Sequence, residues 1–324
     1  MNRRQMIAAL GGAAAWPLAA RTQQPTKPMI ALLHIGSSDA WVTPFAGFRQ
    51  SLNEAGFVDG RTVTIESRWA DRQFDRLPML TADLLRLHAA VFFANGPPAV
   101  RAIRAQSASV PIVFFMGEDP VKEGLVESLN RPGGNITGVT NFQNQLFGKQ
   151  LGLLREIAPK AAVIAFLINP RNPNAEPDIS DARTAAAAAG QELRIFAAST
   201  EGDLELAFAA MAQQRIGGLL VGVDSFGLSA EHFTAVVAQY AIPAVYNMRD
   251  YPVAGGLMSY GASRVEAWRQ AGTYVGRILK GGKAGELPVL QSSKFEFVLN
   301  LRTARALNIE MPSGVLSIAD EVIE

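Results

Sequence analysis

Cysteine is absent from all 324 residues, so the chain forms no disulfide, offers no thiol nucleophile and must draw its stability from a packed core. Histidine is scarce. His34, His88 and His232 stand isolated, and none belongs to an H-E-x-x-H or other metal-binding spacing. His34 falls inside an apolar run and reads as a core or cleft-edge residue; His88 and His232 read as surface. No G-x-S-x-G elbow, phosphate-binding G-x-x-x-x-G-K-[ST] loop or credible S-x-x-K occurs, and the first strand–helix turn, Gly36 to Trp41, lacks G-x-G-x-x-G. The adjacent carboxylates Glu118 and Asp119 sit in a loop, where neighbouring side chains seldom aim at one point. These absences disfavour catalysis and imply no cofactor. After Pro28 no apolar run reaches 18 residues, which excludes a transmembrane helix of ordinary length.

What is present begins with the first 26 residues. Arg3-Arg4 precede a short apolar run from Met6 to Ala20, followed by small residues and Gln23-Gln24-Pro25-Thr26-Lys27-Pro28. A basic start, an apolar centre and a small-residue exit are the parts of an export signal. Arg3-Arg4-Gln5-Met6-Ile7 fits a twin-arginine leader, with an ordinary Sec leader as the alternative; Thr22 stands where A-x-A wants alanine and leaves the cut site open. The mature chain is therefore expected in the periplasm. It would be soluble, because no cysteine follows the leader to carry a lipid. The chain has 30 Lys+Arg and 29 Asp+Glu, and a cut near Thr22 leaves 27 against 29. That balance disfavours nucleic acid and anionic membranes as partners.

About 300 mature residues exceed the size at which one core keeps growing, so two lobes are expected. Near-continuous apolar runs alternate with helical patterns. Met29 to Ile35, Thr62 to Trp69, Ala89 to Ala94 and Pro111 to Phe115 read as strands, and the rhythm restarts from Ala162 to Ile168 and runs on to Pro243–Tyr246. The pattern indicates parallel sheets covered on both faces. The expected fold class is α/β, two doubly wound Rossmann-like lobes with a hinge and an interlobe cleft. Leu257 to Tyr260 and the helix from Ala262 to Lys280 look like the chain's return. The first lobe is expected over 27–141 plus about 253–287, and the second over 142–252 plus about 288–324.

Doubly wound sheets bind ligands at the carboxyl ends of their strands. In the first lobe those ends carry Ser37, Ser38, Asn95, Gly96, Glu118 and Asp119. In the second they carry Asn169, Asn172, Asp224, Ser225 and Tyr246 with Asn247, while Phe142, Phe226, Tyr246 and Tyr260 are placed to wall an apolar ligand group. Hydroxyls, amides and helix N-termini suit a carboxylate, and a buried aspartate suits an ammonium. A local alternative exists for several of them. Ser38, Asp39 and Asn172 fit as helix caps, Asp119 before Pro120 as the start of a turn, and the aromatics as lobe core.

Several stretches together resemble one family. They include Ala46 to Phe57 with Asp59-Gly60, Ile65 to Trp69, Phe74 to Pro78, Glu118 to Val121 with Gly124-Leu125-Val126, and Ser128 to Thr140. Further along come Asn169-Pro170 with Asn172-Pro173-Asn174, Ala254 to Gly261, Gly276 to Gly281, and Phe295 to Asn300 running to Ala319–Ile323. The chain is similar to the substrate-binding proteins of ABC importers, in the subgroup that includes tryptophan-binding lipoproteins. The resemblance implies a type I periplasmic binding fold with three crossovers. It also implies a monomer capturing a small organic solute, an amino acid or an aromatic or other carboxylic acid, for an inner-membrane permease and ATPase. By the same resemblance Asp224 matches an aspartate that pairs with a ligand ammonium, and Ser37-Ser38 match a carboxylate-binding turn. Three departures stand out: Glu118 in place of a small polar residue, Asn95-Gly96-Pro97-Pro98 in place of a Thr/Gly-rich turn, and Val223 to Gly227 in place of Asp-Asn-Thr. An importer-independent sensory protein and an exported enzyme are the alternative readings.

Overall fold

The computed structural model describes residues 27–223, 226 and 228–324; the expected export segment and the two candidate site residues Asp224 and Ser225 lie outside the described residues. The first series of elements runs β1 (Met29–His34), α1 (Val42–Glu54), β2 (Thr64–Trp69), α2 (Leu77–Arg86), β3 (Val91–Asn95), α3 (Pro97–Arg104), β4 (Ile112–Met116) and β5 (Ile136–Thr140). The second runs α4 (Phe147–Ile157), β6 (Val163–Ile168), α5 (Ala175–Ala188), β7 (Glu192–Ala197), α6 (Glu201–Gln213), β8 (Gly218–Val221), α7 (Ala230–Gln239), β9 (Ala244–Tyr246), α8 (Asp250–Val253) and β10 (Met258–Ala262). The chain ends with α9 (Arg264–Leu279), β11 (Leu290–Gln291), β12 (Phe295–Asn300), α10 (Leu301–Ala306), α11 (Ser313–Ser317) and β13 (Glu321–Ile323).

Two sheets result. One has the order β11-β5-β4-β3-β1-β2 with every pairing parallel; the other has the order β13-β12-β10-β9-β8-β6-β7, parallel except where β10 meets β12. The sequence explains which strands are central. All six side chains of β1 and all five of β3 and β4 are buried, as uninterrupted apolar runs require when helices cover both faces, whereas β2 and β7 are half-exposed edges. Each sheet contains the order second-first-third-fourth strand, so each has a topological switch point, between β1 and β3 and between β6 and β8. No helix among the described residues is long and apolar enough to cross a membrane.

The chain passes between the sheets three times. It leaves the first after β5 at Asn141–Gln143, re-enters on its side between Ala262 and Arg264, and leaves again between Gln291 and Phe295. The first return falls later than the sequence pattern suggested. The strand Met258–Ala262 pairs with β9 and β12 in the second sheet, and β11 still pairs with β5 in the first. An apolar strand looks the same whichever sheet it joins, so its composition did not reveal the partner. The crossing segments are laced together: the N–H of Ser292 donates to the carbonyl of Thr140 at 2.8 Å, and that of Ser263 to the carbonyl of Lys294 at 2.9 Å.

Helix α9 fixes the return. It lies along α1, and the closeness of that packing depends on glycine. A Cβ on Gly272 would stand 2.6 Å from the carbonyl oxygen of Phe48, and one on Gly276 2.8 Å from Cβ of Ala55. The approach carries the fully buried Trp268 into the first-lobe core, where it meets Phe93 edge-on at 4.8 Å and stacks on Trp41 at 5.1 Å.

Overpacking at this contact generates a test. Gly272→Ala should destabilise the protein by about 1–3 kcal/mol, because backbone on the facing helix has to move. Gly152→Ala on α4, where an added Cβ meets nothing within 4 Å, should instead stabilise by about 0.5–1 kcal/mol through helix propensity. Thermal melts of the two variants, measured side by side, check the opposite signs.

Candidate functional site

Between the two switch points lies a cleft of about 190 Å³. From the first lobe it is lined by His34, Gly36, Trp41, Arg72, Asn95, Gly96, Phe115, Gly117 and Glu118, and from the other side by Asn172, Asn174, Val223, Asn247 and Met248. Asn141 and Gln143 of the first crossing and Ala262 and Arg264 of the second complete it.

Each wall is positioned by local structure. His34 ends β1 with 1% of its surface exposed; the backbone N–H of Gly36 donates to its Nδ1 at 2.8 Å. The remaining proton of a neutral ring therefore sits on Nε2, which is buried without a protein partner. Burial lowers the imidazole's pKa well below its ordinary value, and the nearby cations Arg264 and Arg72 add to the effect. His34 is thus a neutral donor at pH 7. Its ring is held between Trp41 at 4.4 Å and Trp69 at 4.6 Å. Arg264 lies 4.7 Å over the Trp41 ring and forms an ion pair with Asp250.

Arg72 follows β2. Asp71 and Arg72 both adopt left-handed backbone, φ 49° and 61°, a conformation that costs non-glycine residues about 1 kcal/mol or more each. The N–H of Arg72 donates to the carbonyl of Ile35 at 2.7 Å, and that of Asp71 to Gly36, tying this turn to the exit of β1. Asp71 pairs with Arg76, and among the described residues no acid pairs with Arg72.

Gly96 carries φ 82°, and a Cβ there would lie 2.8 Å from Ile35 Cδ1, so the turn after β3 requires glycine. Pro97 and Pro98 open α3 and have no N–H, while the N–H of Gly96 is already taken by the carbonyl of Phe115 at 2.8 Å. The start of this helix therefore offers an anion little.

Glu118 reaches across the cleft. Its Oε1 accepts from the amide of Asn174, which belongs to the second lobe, while Oε2 is enclosed and unpaired. Enclosure raises its pKa from 4.5 to about 7; Glu123 pushes the same way, and the backbone N–H groups of Glu118 and Gly117 and the Arg101 guanidinium oppose. Five buried polar atoms of cleft-lining residues have no partner among the described residues: His34 Nε2, Glu118 Oε2, Asn141 Oδ1, Gln143 Nε2 and Asn247 Oδ1. Such atoms are rare in folded proteins, and their gathering marks a site for a polar ligand.

Of the residues expected from sequence, the cleft brings together Asn95, Gly96, Glu118 and Asn172. Ser37 and Ser38 do not line it: Ser38 is exposed and donates to Asp39 at 3.1 Å. Asp119 accepts from the N–H of Val121 at 2.9 Å, and Asn169 from that of Arg171 at 3.0 Å, so both cap local turns. Phe142 is buried in the first crossing with φ 43°. Tyr246 lies in the second-lobe core, stacked on Tyr251 at 4.7 Å, and Tyr260 stacks on Phe295 at 6.0 Å. Trp41, Arg72, Asn141, Gln143, Asn174 and Arg264 were not anticipated as site residues. Arg72 lies three residues past the carboxyl end of β2, the one position-based signal that points to it.

A two-lobed α/β protein with an enclosed polar cleft between its sheets is built to hold a small solute. The family model for ABC transporter substrate binding proteins matches residues 29–323, and the chain belongs to that family. A tyrosine-binding protein from Clostridioides difficile (strain R20291) is 24% identical over 269 residues, 83% of this chain and 77% of that protein. Among solved structures, a conserved domain protein from Vibrio cholerae superposes with a TM-score of 0.84 at 23% identity, covering 91% of this chain and 99% of that one. The ABC domain in complex with L-Trp from Streptococcus pneumonia gives 0.82 at 23% identity, covering 92% and 100%. These structures share the fold, that of the periplasmic binding proteins.

The raised pKa of Glu118 has a consequence for the empty protein. Its carboxyl holds a proton more tightly folded than unfolded, so the associated stability is full below about pH 4.5 and is lost as pH rises through about 7. Between roughly pH 6 and pH 8 the melting temperature should fall more steeply for the native chain than for Glu118→Gln. Melts of both across that range check it; parallel slopes would show that Glu118 does not carry the effect.

Proposed function

We propose that this protein is the extracytoplasmic solute-binding component of an ABC importer, holding a small carboxylate-bearing solute in the cleft and passing it to a permease and its ATPase. Amino acids and aromatic carboxylic acids are the foremost classes. The observation that carries this reading is the pairing of a cation that no acid among the described residues neutralises with a neutral donor: Arg72 and the Nε2–H of His34 share one end of the cleft, where two prolines leave the start of α3 with little to offer an anion. Guanidinium recognises carboxylate through two parallel hydrogen bonds, and a donor beside it adds a third. The aromatic ring set around His34 supplies an apolar wall next to that anion site. The tyrosine-binding relative favours an amino acid among the carboxylates.

The protein would act as a monomer without catalysis and be exported to the periplasm through its twin-arginine leader. Arg3→Lys combined with Arg4→Lys should block export by that route, while a Sec substrate would tolerate the pair. Fractionation of a strain carrying each version decides between them.

Ligand binding to the folded state raises stability by RT ln(1 + [L]/Kd), about 2.7 kcal/mol at a hundredfold excess over Kd. A thermal-shift screen over the amino acids and aromatic carboxylic acids should find at least one compound that raises the melting temperature. Arg72→Gln should weaken that compound by 1.5–3 kcal/mol, about the worth of a charge-assisted hydrogen bond, while leaving the melting temperature of the empty protein unchanged or higher. A screen with no stabilising carboxylate would overturn the reading.

A further inference from the structure

The two ends of the cleft differ in charge, and among the described residues the charged groups acting on His34 and on Glu118 are different. Arg264 and Arg72 bear on His34; Glu123 and Arg101 bear on Glu118. The strand order sets the spacing. Arg72 leaves β2 and Glu118 leaves β4, with β1 and β3 between, which at about 4.8 Å per strand separates their backbones by about 14 Å. An α-amino acid carries its carboxylate and ammonium on a single carbon. With its carboxylate at Arg72, its α-ammonium lies at the same end, and the Glu118 end is left for a different group.

We propose that Glu118 is a specificity-determining residue that reads a hydrogen-bond donor at the end of the ligand remote from its carboxylate. The inference rests on the carboxylate reading of the Arg72 end and adds to it the chemistry of the far end: an elongated carboxylate tipped with a hydroxyl, phenol or amine. One oxygen of Glu118, a residue that lines the cleft, is held by Asn174, so the carboxyl is fixed in direction; the other is enclosed and has no partner among the described residues. An enclosed acceptor without a donor is costly, so a ligand lacking a donor leaves that cost in place and is discriminated against. Because Asn174 sits on the opposite lobe, the same carboxyl also joins donor recognition to the approach of the two lobes.

The experiment compares matched carboxylates that differ only in the distal group: L-tyrosine against L-phenylalanine, 3-(4-hydroxyphenyl)propanoate against 3-phenylpropanoate, and 6-aminohexanoate against hexanoate. Calorimetric affinities are measured for the native chain, Glu118→Ala and Glu118→Gln, with a melt of each variant to confirm folding. In the native chain the donor-bearing member of at least one pair should bind tenfold tighter or more. Glu118→Ala should reduce that preference to about threefold or less, the ratio within each pair being the readout because the lost Asn174 contact shifts both members alike, and Glu118→Gln, which keeps an acceptor oxygen, should retain part of the preference. Equal affinities within every pair, or a preference that survives in Glu118→Ala, would overturn the assignment of Glu118 alone. Failure of all six compounds to bind the native chain would overturn the carboxylate reading, and this inference with it.

Discussion

The cleft depends on three chain crossings that hold the carboxyl ends of two parallel sheets face to face. Each sheet on its own would open its switch point to water, and single strand-end side chains would make weak, solvated contacts. Brought together, the ends enclose polar atoms from both sides, and enclosure gives each hydrogen bond more weight than it has in water. The lacing of Thr140 to Ser292 and of Ser263 to Lys294 keeps the crossings adjacent. Asn141, Gln143 and Ala262 show the economy of this arrangement, since crossing residues are also cleft residues.

Helix α9 extends that constraint into the first lobe. Its glycines let it lie close on α1, which places Trp268 against Phe93 and Trp41, and Trp41 in turn packs on His34. The neutral imidazole is a product of this packing. Enclosed by rings and flanked by Arg264 and Arg72, it stays uncharged and keeps its proton on Nε2, the nitrogen that Gly36 does not occupy. A donor fixed in direction loses little entropy when a ligand arrives.

The α/β class and the two lobes were legible in the sequence because buried parallel strands are continuous apolar runs, and β1, β3 and β4 leave no ambiguity. The partner of Met258–Ala262 was not, since a strand's composition reports burial and not neighbours. The strand-end rule coincides with the cleft lining where the last strand residue itself, or a tight glycine turn, meets the cleft, as at Asn95 and Gly96. It failed at Ser37 and Ser38 because the chain turns at Gly36 and a short 3-10 turn, Asp39–Trp41, brings Trp41 to the cleft in their stead. Tyr246 failed for a simpler reason: alternation along β9 sends its ring into the second-lobe core. Arg72 carries no turn signature, and a left-handed arginine cannot be read from residue type. Asn141 and Gln143 acquire their role only from the crossing.

Five enclosed polar atoms without partners weaken the empty protein, since each forgoes hydrogen bonds that water would supply. A binding site gains from that weakness. The free energy forgone in the empty state is recovered when a ligand completes the set, so affinity is drawn from the protein's own unsatisfied groups as well as from the solute's apolar surface. The same logic sets selectivity. A solute that satisfies only the cationic end leaves Glu118, Asn141 and Asn247 still unpaired, and the shortfall grows with every atom it misses. Glu118 weighs most in this comparison because burial raises its pKa to about 7, so it costs the empty protein more than a neutral amide does.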